Sequence, residues 1–184
     1  MDYDRRRLIE LVKRDALQFG EFTLASGQKS HFYIDCRNVT LSAEGSALVG
    51  AGLLELFGDG DIDAVGGLTM GADPVLSAVL TMAGIQGKDL RGFIVRKEAK
   101  GHGVGKLVEG PIRSGDRVAV VEDVTTTGAS ALQAVAAVEA LGAQTVLVAT
   151  VLDRLAGAKQ LFAEKGLRFE SLLTLDDLDI ENSK

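Results

Sequence analysis

The stretch from Val118 to Ser130, VAVVEDVTTTGAS, contains an apolar run, two acids, a hydroxyl-rich turn and a predicted helix start. The uninterrupted apolar run Val118–Val121 predicts a central parallel strand that is covered on both faces. In an open α/β sheet, ligands bind beyond the carboxyl ends of the strands, so Glu122 and Asp123 are expected at a ligand crevice. The stretch therefore predicts an α/β fold and the position of its site.

The turn from Thr125 to Gly128 offers hydroxyls, backbone N–H groups and a glycine that accepts unusual backbone angles. The helix predicted from Ala129 leaves its first amides without partners inside the helix, and a phosphate would satisfy them. Two acids beside a phosphate favour a ligand that also carries hydroxyls or a metal, because like charges repel. A ribose 5-phosphate fits, with ribose hydroxyls on Glu122 and Asp123 and Mg²⁺ nearby. The alternative is an acidic turn and a capped helix that bind nothing.

This segment resembles the phosphoribosyl diphosphate (PRPP) motif of type I phosphoribosyltransferases, in which apolar residues precede two acids and a Thr-Thr-Gly type of turn. It differs from a Walker loop, because no Gly-Lys-Ser/Thr follows, and from a dinucleotide fingerprint, because the spaced glycines are missing. The resemblance implies that the acids, the turn and the helix start bind PRPP. These candidates are Glu122, Asp123, Val124, Thr125, Thr126, Thr127, Gly128, Ala129 and Ser130.

The composition is typical of one globular domain with a substantial core: 184 residues, 46% of them hydrophobic and 25% charged. We therefore expect a single domain over residues 1–184. The formal net charge of −6 argues against a nucleic-acid-binding protein. Neither a membrane-length run nor a signal-type segment is present, so the cytoplasm is the expected compartment. The single cysteine, Cys36, excludes an internal disulfide, and its apolar surroundings favour a buried thiol over a nucleophile.

The N-terminal part predicts a helix followed by a hairpin. Apolar residues at helical spacing predict an amphipathic helix over Asp2–Phe19, ended by Gly20. Two short strands around a Ser-Gly turn are predicted over Phe22–Arg37, outside the central sheet, as a hood over the crevice. This hairpin resembles the N-terminal segment of the orotate phosphoribosyltransferase family, which implies that Phe32 and Tyr33 line an orotate pocket. The alternative is a pair of ordinary core rings.

A basic loop follows the strand predicted over Arg91–Val95. Its sequence, RKEAKGHGVGKLVEG, places several cations among glycines in an otherwise acidic chain, which predicts a mobile loop that closes over a polyanion. A solvated basic loop is the alternative. The run RKEAK, followed by His-Gly, matches the catalytic loop of the orotate family. The match implies that Arg96, Lys97, Lys100 and His102 bind PRPP, and that Lys100, His102 and Asp123 are catalytic.

A third group of polar residues follows the apolar strand predicted over Thr145–Leu152, where Asp153 and Arg154 stand. A strand-end arginine can pair bidentately with a carboxylate, and a structural salt bridge is the alternative. The orotate family has an Asp-Arg pair here, which implies that Arg154 binds orotate. The orotate-binding candidates are therefore Phe32, Tyr33, Thr126 and Arg154.

The connection GGLTMGADP, residues 66–74, is a glycine-rich passage from a strand to a helix. Its glycines allow close approach of the backbone to a ligand, and we expect Asp73 at the helix N-cap and Pro74 at the first helical position. The corresponding loop of phosphoribosyltransferases contacts pyrophosphate. Several orotate enzymes offer a lysine where this chain has Met70, so one expected cation is missing.

Predicted strands near residues 64, 93, 119, 148 and 170 alternate with helices. This pattern argues for a doubly wound parallel sheet flanked by helices, as in type I phosphoribosyltransferases. We expect a small hood subdomain from about residues 20–37 together with part of the C-terminal segment, including the C-terminal strand.

The resemblance to the orotate family implies transfer of the phosphoribosyl group of PRPP to orotate, giving orotidine 5′-monophosphate and pyrophosphate in UMP biosynthesis. It implies Mg²⁺ held mainly by PRPP, pyrophosphate and water, with no protein ligand assigned. It also implies a homodimer in which loop 97–109 acts in the neighbouring subunit's site, without a nucleic-acid or membrane partner. The alternatives are a phosphoribosyltransferase for another base and a PRPP-binding regulator of the same fold without catalysis.

Overall fold

The computed structural model of the protein describes residues 2–23, 29–58, 62–98 and 106–180. In these ranges the strands are β1 Leu17–Thr23, β2 Lys29–Ile34, β3 Ala64–Leu68, β4 Arg91–Val95, β5 Val108–Glu109, β6 Arg117–Thr125, β7 Gln144–Asp153 and β8 Phe169–Thr174. The α-helices are α1 Arg5–Leu11, α2 Arg37–Thr40, α3 Ala43–Phe57, α4 Ala72–Ile85, α5 Ala129–Glu139 and α6 Ala158–Glu164. A π-helical turn, Val12–Ala16, follows α1, and a 3-10 turn, Leu175–Leu178, follows β8.

The main sheet has the strand order β5-β4-β3-β6-β7-β8 and is parallel except for the short edge strand β5. The run Val118–Val121 of β6 is fully buried, as expected for a parallel strand covered on both faces. From β3 the chain adds β4 on one side, and from β6 it adds β7 and β8 on the other. The order therefore reverses between β3 and β6, the switch point at which doubly wound sheets bind ligands.

Helices cover both faces of the main sheet and form two cores. On one face, α4 packs against β3 and β6, α3 packs against β7 and β8, and α1 packs against α3 and β8, with Leu8, Leu53 and Val79 among the buried residues. On the other face, α5 and α6 pack through Val138 and Phe162. The predicted α/β class, with a parallel sheet between helices, is confirmed. No helix within the described ranges is long and apolar enough to cross a membrane.

The hairpin of β1 and β2 forms a separate antiparallel sheet. The helix predicted over Asp2–Phe19 is wrong at its C-terminal end, because helical structure ends at Ala16 and Leu17–Thr23 is a strand that contains Gly20. Pairing with β2 explains the difference, since tertiary contacts override a local helical periodicity. The expectation that the C-terminal strand joins the hood is also wrong. That strand, β8, pairs with β7 in the main sheet.

The starts of α3 and α4 position the loops around the switch point. Ser42 caps α3, since its hydroxyl accepts a 3.1 Å hydrogen bond from the Gly45 N–H. Helix α4 begins at Ala72 with Gly71 at the N-cap, so the predicted N-cap at Asp73 is wrong by two positions. Asp73 instead lies in the first turn, where its carboxylate accepts a 2.8 Å hydrogen bond from the Thr69 hydroxyl.

Candidate active site

Two acids end the buried run of β6 at the switch point. Glu122 is only 7% exposed, and its Oε2 accepts a 2.8 Å hydrogen bond from the Thr125 hydroxyl. Burial raises the pKa of Glu122 to about 7, while the Thr125 hydrogen bond lowers this pKa and the charge of Asp123 raises it. Glu122 is therefore poised between its charged and neutral forms near neutral pH.

Asp123, the second acid, contacts the connection between β3 and α4. Its Oδ1 accepts a 2.9 Å hydrogen bond from the Val124 N–H, and a Cβ on Gly71 would collide with the same oxygen. Burial raises the pKa of Asp123, whereas the Val124 N–H and the charge of Arg37 lower it. The structure thus brings the ends of β3 and β6 together at Gly71 and Asp123.

The three threonines of the turn after the acids differ in solvent exposure. Thr125 is buried, with 1% exposed, whereas Thr126 and Thr127 are exposed. Gly128 has a φ of +84° and stands at the N-cap of α5, followed by exposed Ala129 and Ser130. No side chain of the described residues caps α5. Its first amides are therefore available to an anion in the way that the sequence predicts.

Arg154 lies beside this turn, because its N–H donates a 2.9 Å hydrogen bond to the Thr125 carbonyl. Its guanidinium carbon is 5.3 Å from the centroid of the Phe32 ring, a cation–π contact that joins the hairpin to the end of β7. No carboxylate of the described residues forms an ion pair with Arg154. Buried Asp153 instead accepts a 2.9 Å hydrogen bond from the Leu155 N–H, so it shapes the turn after β7.

The predicted aromatic pair is divided between the two faces of the hairpin. Neighbouring residues of a strand point in opposite directions, and Phe32 contacts Arg154 while Tyr33 contacts Phe22. The ring centroids of Tyr33 and Phe22 are 5.6 Å apart, and 37% of Tyr33 is exposed. The structure therefore brings Phe32, but not Tyr33, next to Arg154.

The described ends of the basic loop lie at the edge of the main sheet. Arg96 follows β4, donates its N–H to the Leu107 carbonyl at 2.9 Å and forms a 3.1 Å ion pair with Glu109 of β5. Lys97 is exposed. Lys100 and His102 lie outside the described residues. The base of the loop is thus closed by contacts between its own two ends.

A cleft of about 700 Å³ lies at the connection between β3 and α4 and is lined in part by Met70, of which 64% is exposed. Its lining residues come from α2, the start of α3 and the start of α4: Arg37, Thr40, Leu41, Ser42, Ala43, Ser46, Met70, Asp73, Pro74 and Ser77. Arg37 also forms a 2.8 Å ion pair with Asp35.

Two features beside Asp123, Arg37 and Gly71, were not predicted individually, whereas the burial of Cys36 was predicted. Arg37, whose charge acts on Asp123, stands where the predicted hood ends, and nothing in the sequence indicates this role. Gly71 belongs to a connection whose glycines do predict close approach, although of a ligand rather than of Asp123. Cys36 is fully buried, and burial, followed by the charge of Asp123, raises the pKa of its thiol. This geometry supports a structural thiol rather than a nucleophile.

Comparison with known proteins finds near end-to-end similarity to orotate phosphoribosyltransferases. No family model matches the chain. Its curated relatives include the orotate phosphoribosyltransferases of Rhodopirellula baltica, 47% identical over 97% of this chain and 95% of the relative, and of Corynebacterium glutamicum, 51% identical over 96% and 94%. Among solved structures, Mycobacterium tuberculosis orotate phosphoribosyltransferase in complex with PRPP has a TM-score of 0.80 and 44% identity, over 95% of this chain and 98% of that one.

Proposed function

The chain belongs to the orotate phosphoribosyltransferase family, and we propose that it carries out this reaction at the switch point between β3 and β6. It transfers the phosphoribosyl group of PRPP to orotate, giving orotidine 5′-monophosphate and pyrophosphate in pyrimidine nucleotide synthesis. The observation that supports this location is the pair Glu122 and Asp123, which ends the central strand beside a hydroxyl-rich turn and a helix start.

The two acids bind the ribose of PRPP, and the turn that follows them binds its 5′-phosphate. The bond from C1 of the ribose to pyrophosphate breaks while a ring nitrogen of orotate bonds to C1, so C1 acquires oxocarbenium character. Glu122 and Asp123 accept hydrogen bonds from the ribose hydroxyls, and the charge of Asp123 stabilises the developing cation. The 5′-phosphate binds the turn 125–130 through Thr126, Thr127 and the first amides of α5.

Orotate binds between the hairpin and the end of β7. Arg154 pairs with the orotate carboxylate, as supported by a guanidinium that contacts Phe32 and has no carboxylate partner among the described residues. Phe32 supplies an aromatic face. Exposed Thr126 follows Thr125, whose carbonyl accepts a hydrogen bond from the Arg154 N–H. We also propose that Tyr33, the next residue on β2, contacts orotate.

The leaving pyrophosphate is neutralised by cations of the basic loop. Arg96, Lys97, Lys100 and His102 fill this role, with Lys100 and His102 as catalytic residues together with Asp123. Within residues 2–23, 29–58, 62–98 and 106–180, no group of three His, Cys, Asp or Glu side chains could hold a metal ion. We therefore propose that Mg²⁺ is held mainly by phosphate oxygens and water, and that it neutralises charge on the leaving group.

The working unit is a homodimer in which loop 97–109 acts in the neighbouring subunit's site. The described ends of the loop lie at β4 and β5, the outer edge of the main sheet, which a second subunit can approach. We further propose that residues 1–184 form one domain, with the hairpin as its hood, and that the enzyme works in the cytoplasm.

An assay of base preference tests this function. The absorbance of orotate is followed with PRPP and Mg²⁺, and uracil, adenine and hypoxanthine are supplied in parallel. We expect consumption of orotate that requires both PRPP and the metal. Turnover of a purine base instead would make the protein a phosphoribosyltransferase of another specificity. Binding of PRPP without turnover of any base would make it a regulator.

A further inference from the structure

Thr125 differs from the other threonines of the turn in the partner of its hydroxyl. Only 1% of Thr125 is exposed, and its Oγ1 donates to Glu122 Oε2 at 2.8 Å. A hydroxyl has one proton to donate, so in this arrangement Thr125 cannot also donate to a phosphate. Thr126 and Thr127 are exposed and have no such restriction. The hydroxyl of Thr125 therefore binds Glu122 rather than a phosphate.

Glu122 is also held through its backbone by the neighbouring strand. Thr150 of β7 is fully buried, and its Oγ1 is 3.3 Å from the Glu122 carbonyl and 3.3 Å from the Leu152 carbonyl. Both contacts are longer than the 2.8 Å contact from Thr125, which has the usual length of a hydroxyl hydrogen bond. The two buried hydroxyls thus hold different parts of Glu122: Thr150 its carbonyl and Thr125 its carboxylate.

We propose that Thr125 is a positioning residue, whose hydroxyl fixes Oε2 of Glu122 and leaves Oε1 to accept a hydrogen bond from the ribose of PRPP. This inference rests on the proposed function, in which Glu122 binds the ribose. It gives Thr125 a role that differs from that of a direct phosphate ligand, because Thr125 acts through Glu122.

The same hydrogen bond also favours the charged form of Glu122. Burial raises the pKa of this carboxyl to about 7, and the Thr125 hydroxyl opposes that effect. Around β6, the charged residues of the packed elements are few: Arg117 at the start of β6, Asp123 on β6 beyond Glu122, Asp153 at the end of β7, Asp73 at the start of α4 and Glu139 at the far end of α5, with none on β3. Of these, Asp123 raises the pKa of Glu122. Loss of the Thr125 donor therefore removes the hydrogen bond that favours ionisation.

The test is the pH profile of kcat/KM for PRPP in Thr125→Val, which keeps the shape of the side chain and removes the donor. We expect the acid limb to move to higher pH by about one unit, with a loss of kcat/KM that approaches about tenfold at acid pH, is about fivefold near neutral pH and shrinks as the pH rises. Thr125→Ser keeps the donor and should retain the wild-type profile. If the valine variant does not fold, Thr125→Cys replaces it, because a thiol is a weak donor.

Thr150→Val is the matched control, since it removes a buried hydroxyl that contacts the carbonyl of Glu122 rather than its carboxylate. We expect its acid limb to stay in place. A uniform loss at every pH in Thr125→Val, or an equal shift in Thr150→Val, would overturn the proposal. Calorimetric titration of PRPP binding across the same pH range detects the shift without turnover. An inactive wild type that binds PRPP with this shift would therefore reject only the proposed function.

Discussion

The carboxylate of Asp123 lies where a side chain on Gly71 would stand, since an ideal Cβ at position 71 collides with Oδ1. Gly71 has φ −62° and ψ −38°, angles that any residue adopts in a helix. The backbone conformation therefore does not require glycine at this position. The close approach of the ends of β3 and β6 requires it, because that approach leaves no volume for a methyl group.

Gly71→Ala should accordingly damage catalysis more than folding. The added methyl group displaces the Asp123 carboxylate from the ribose, and displacements of this size reduce rates by about 10- to 100-fold. Steady-state kcat/KM for PRPP and a urea unfolding curve measure the two effects. Gly84→Ala in the same helix is the control, because its Cβ would meet nothing within 4 Å. It should keep full activity and gain about 0.5–1 kcal/mol in stability. Unchanged kinetics in Gly71→Ala would contradict the importance of this contact.

Asp123→Asn tests the charge of the same side chain without changing its shape. We expect a loss of kcat by about 100-fold or more, because negative charge is removed from beside the developing oxocarbenium ion. Circular dichroism should show an intact fold. Asp176→Asn, in the exposed 3-10 turn after β8, is the matched control and should remain fully active. Near-normal turnover of Asp123→Asn would reject its catalytic role.

Glu122→Gln is expected to increase stability at alkaline pH while it lowers activity. In the wild type, the folded-state pKa of about 7 exceeds the ordinary value of 4.5 because the carboxyl is buried. Its favourable contribution to stability is complete below pH 4.5 and is lost as the pH rises through about 7. Glutamine cannot ionise, so the variant should be more stable than the wild type by roughly 2–3 kcal/mol at pH 8.

Urea unfolding at about pH 8 and about pH 5 measures this difference. The gain of Glu122→Gln over the wild type should be large at the higher pH and should fall to about a quarter of that value at the lower one. An equal difference at both pH values would mean that the ionisation of Glu122 does not control stability.

The sequence predicts the main sheet and the position of the site because both depend on local patterns. Uninterrupted apolar runs, such as Val118–Val121, require burial on both faces, and the acids that follow such a run must emerge at the end of the strand. These patterns do not depend on distant parts of the chain. The α/β sheet and the placement of Glu122 and Asp123 at the carboxyl end of a central strand could therefore be predicted.

Features that depend on distant residues could not be predicted in this way. Leu17–Phe19 was predicted as the end of a helix but belongs to a strand, since β2 pairs with it. Thr125, Thr126 and Thr127 have identical side chains, and only the path of the backbone decides which of them is buried against Glu122. The contact of Gly71 with Asp123 likewise requires the packing of two strand ends.

The contact between Arg154 and Phe32 predicts how variants will affect orotate. Arg154→Ala should raise the Michaelis constant for orotate far more than that for PRPP, because a charge-assisted pair worth about 2–5 kcal/mol is lost. Phe32→Leu should act in the same direction but less, since the cation–π contact contributes about 0.5–1 kcal/mol. Arg168→Ala, which removes an exposed ion pair with Glu170, is the control and should change neither constant. Equal damage to both constants in Arg154→Ala would indicate a structural role.

Mixing two inactive variants tests whether the basic loop acts across a dimer. Lys100→Ala inactivates the loop, and Asp123→Asn inactivates the PRPP motif. Each homodimer of either variant therefore lacks a complete site. When subunits exchange, a mixed dimer can combine the normal loop of one chain with the normal motif of the other. This restores one complete site per mixed dimer if, and only if, the loop acts in the neighbouring subunit.

Random exchange of equal amounts makes about half of the dimers mixed, and each mixed dimer has one working site of two. Activity should therefore recover to roughly a quarter of the wild-type value, and orotate turnover before and after exchange measures it. Exchange itself is followed by mass spectrometry of chains with different tags. A mixture of Lys100→Ala with a second loop variant, Lys97→Ala, is the control. In this control mixture, every PRPP motif is intact but every loop is defective. The activity of the mixture should therefore not exceed that of the two parent variants. A mixture that exchanges yet stays inactive would place the loop in its own subunit's site.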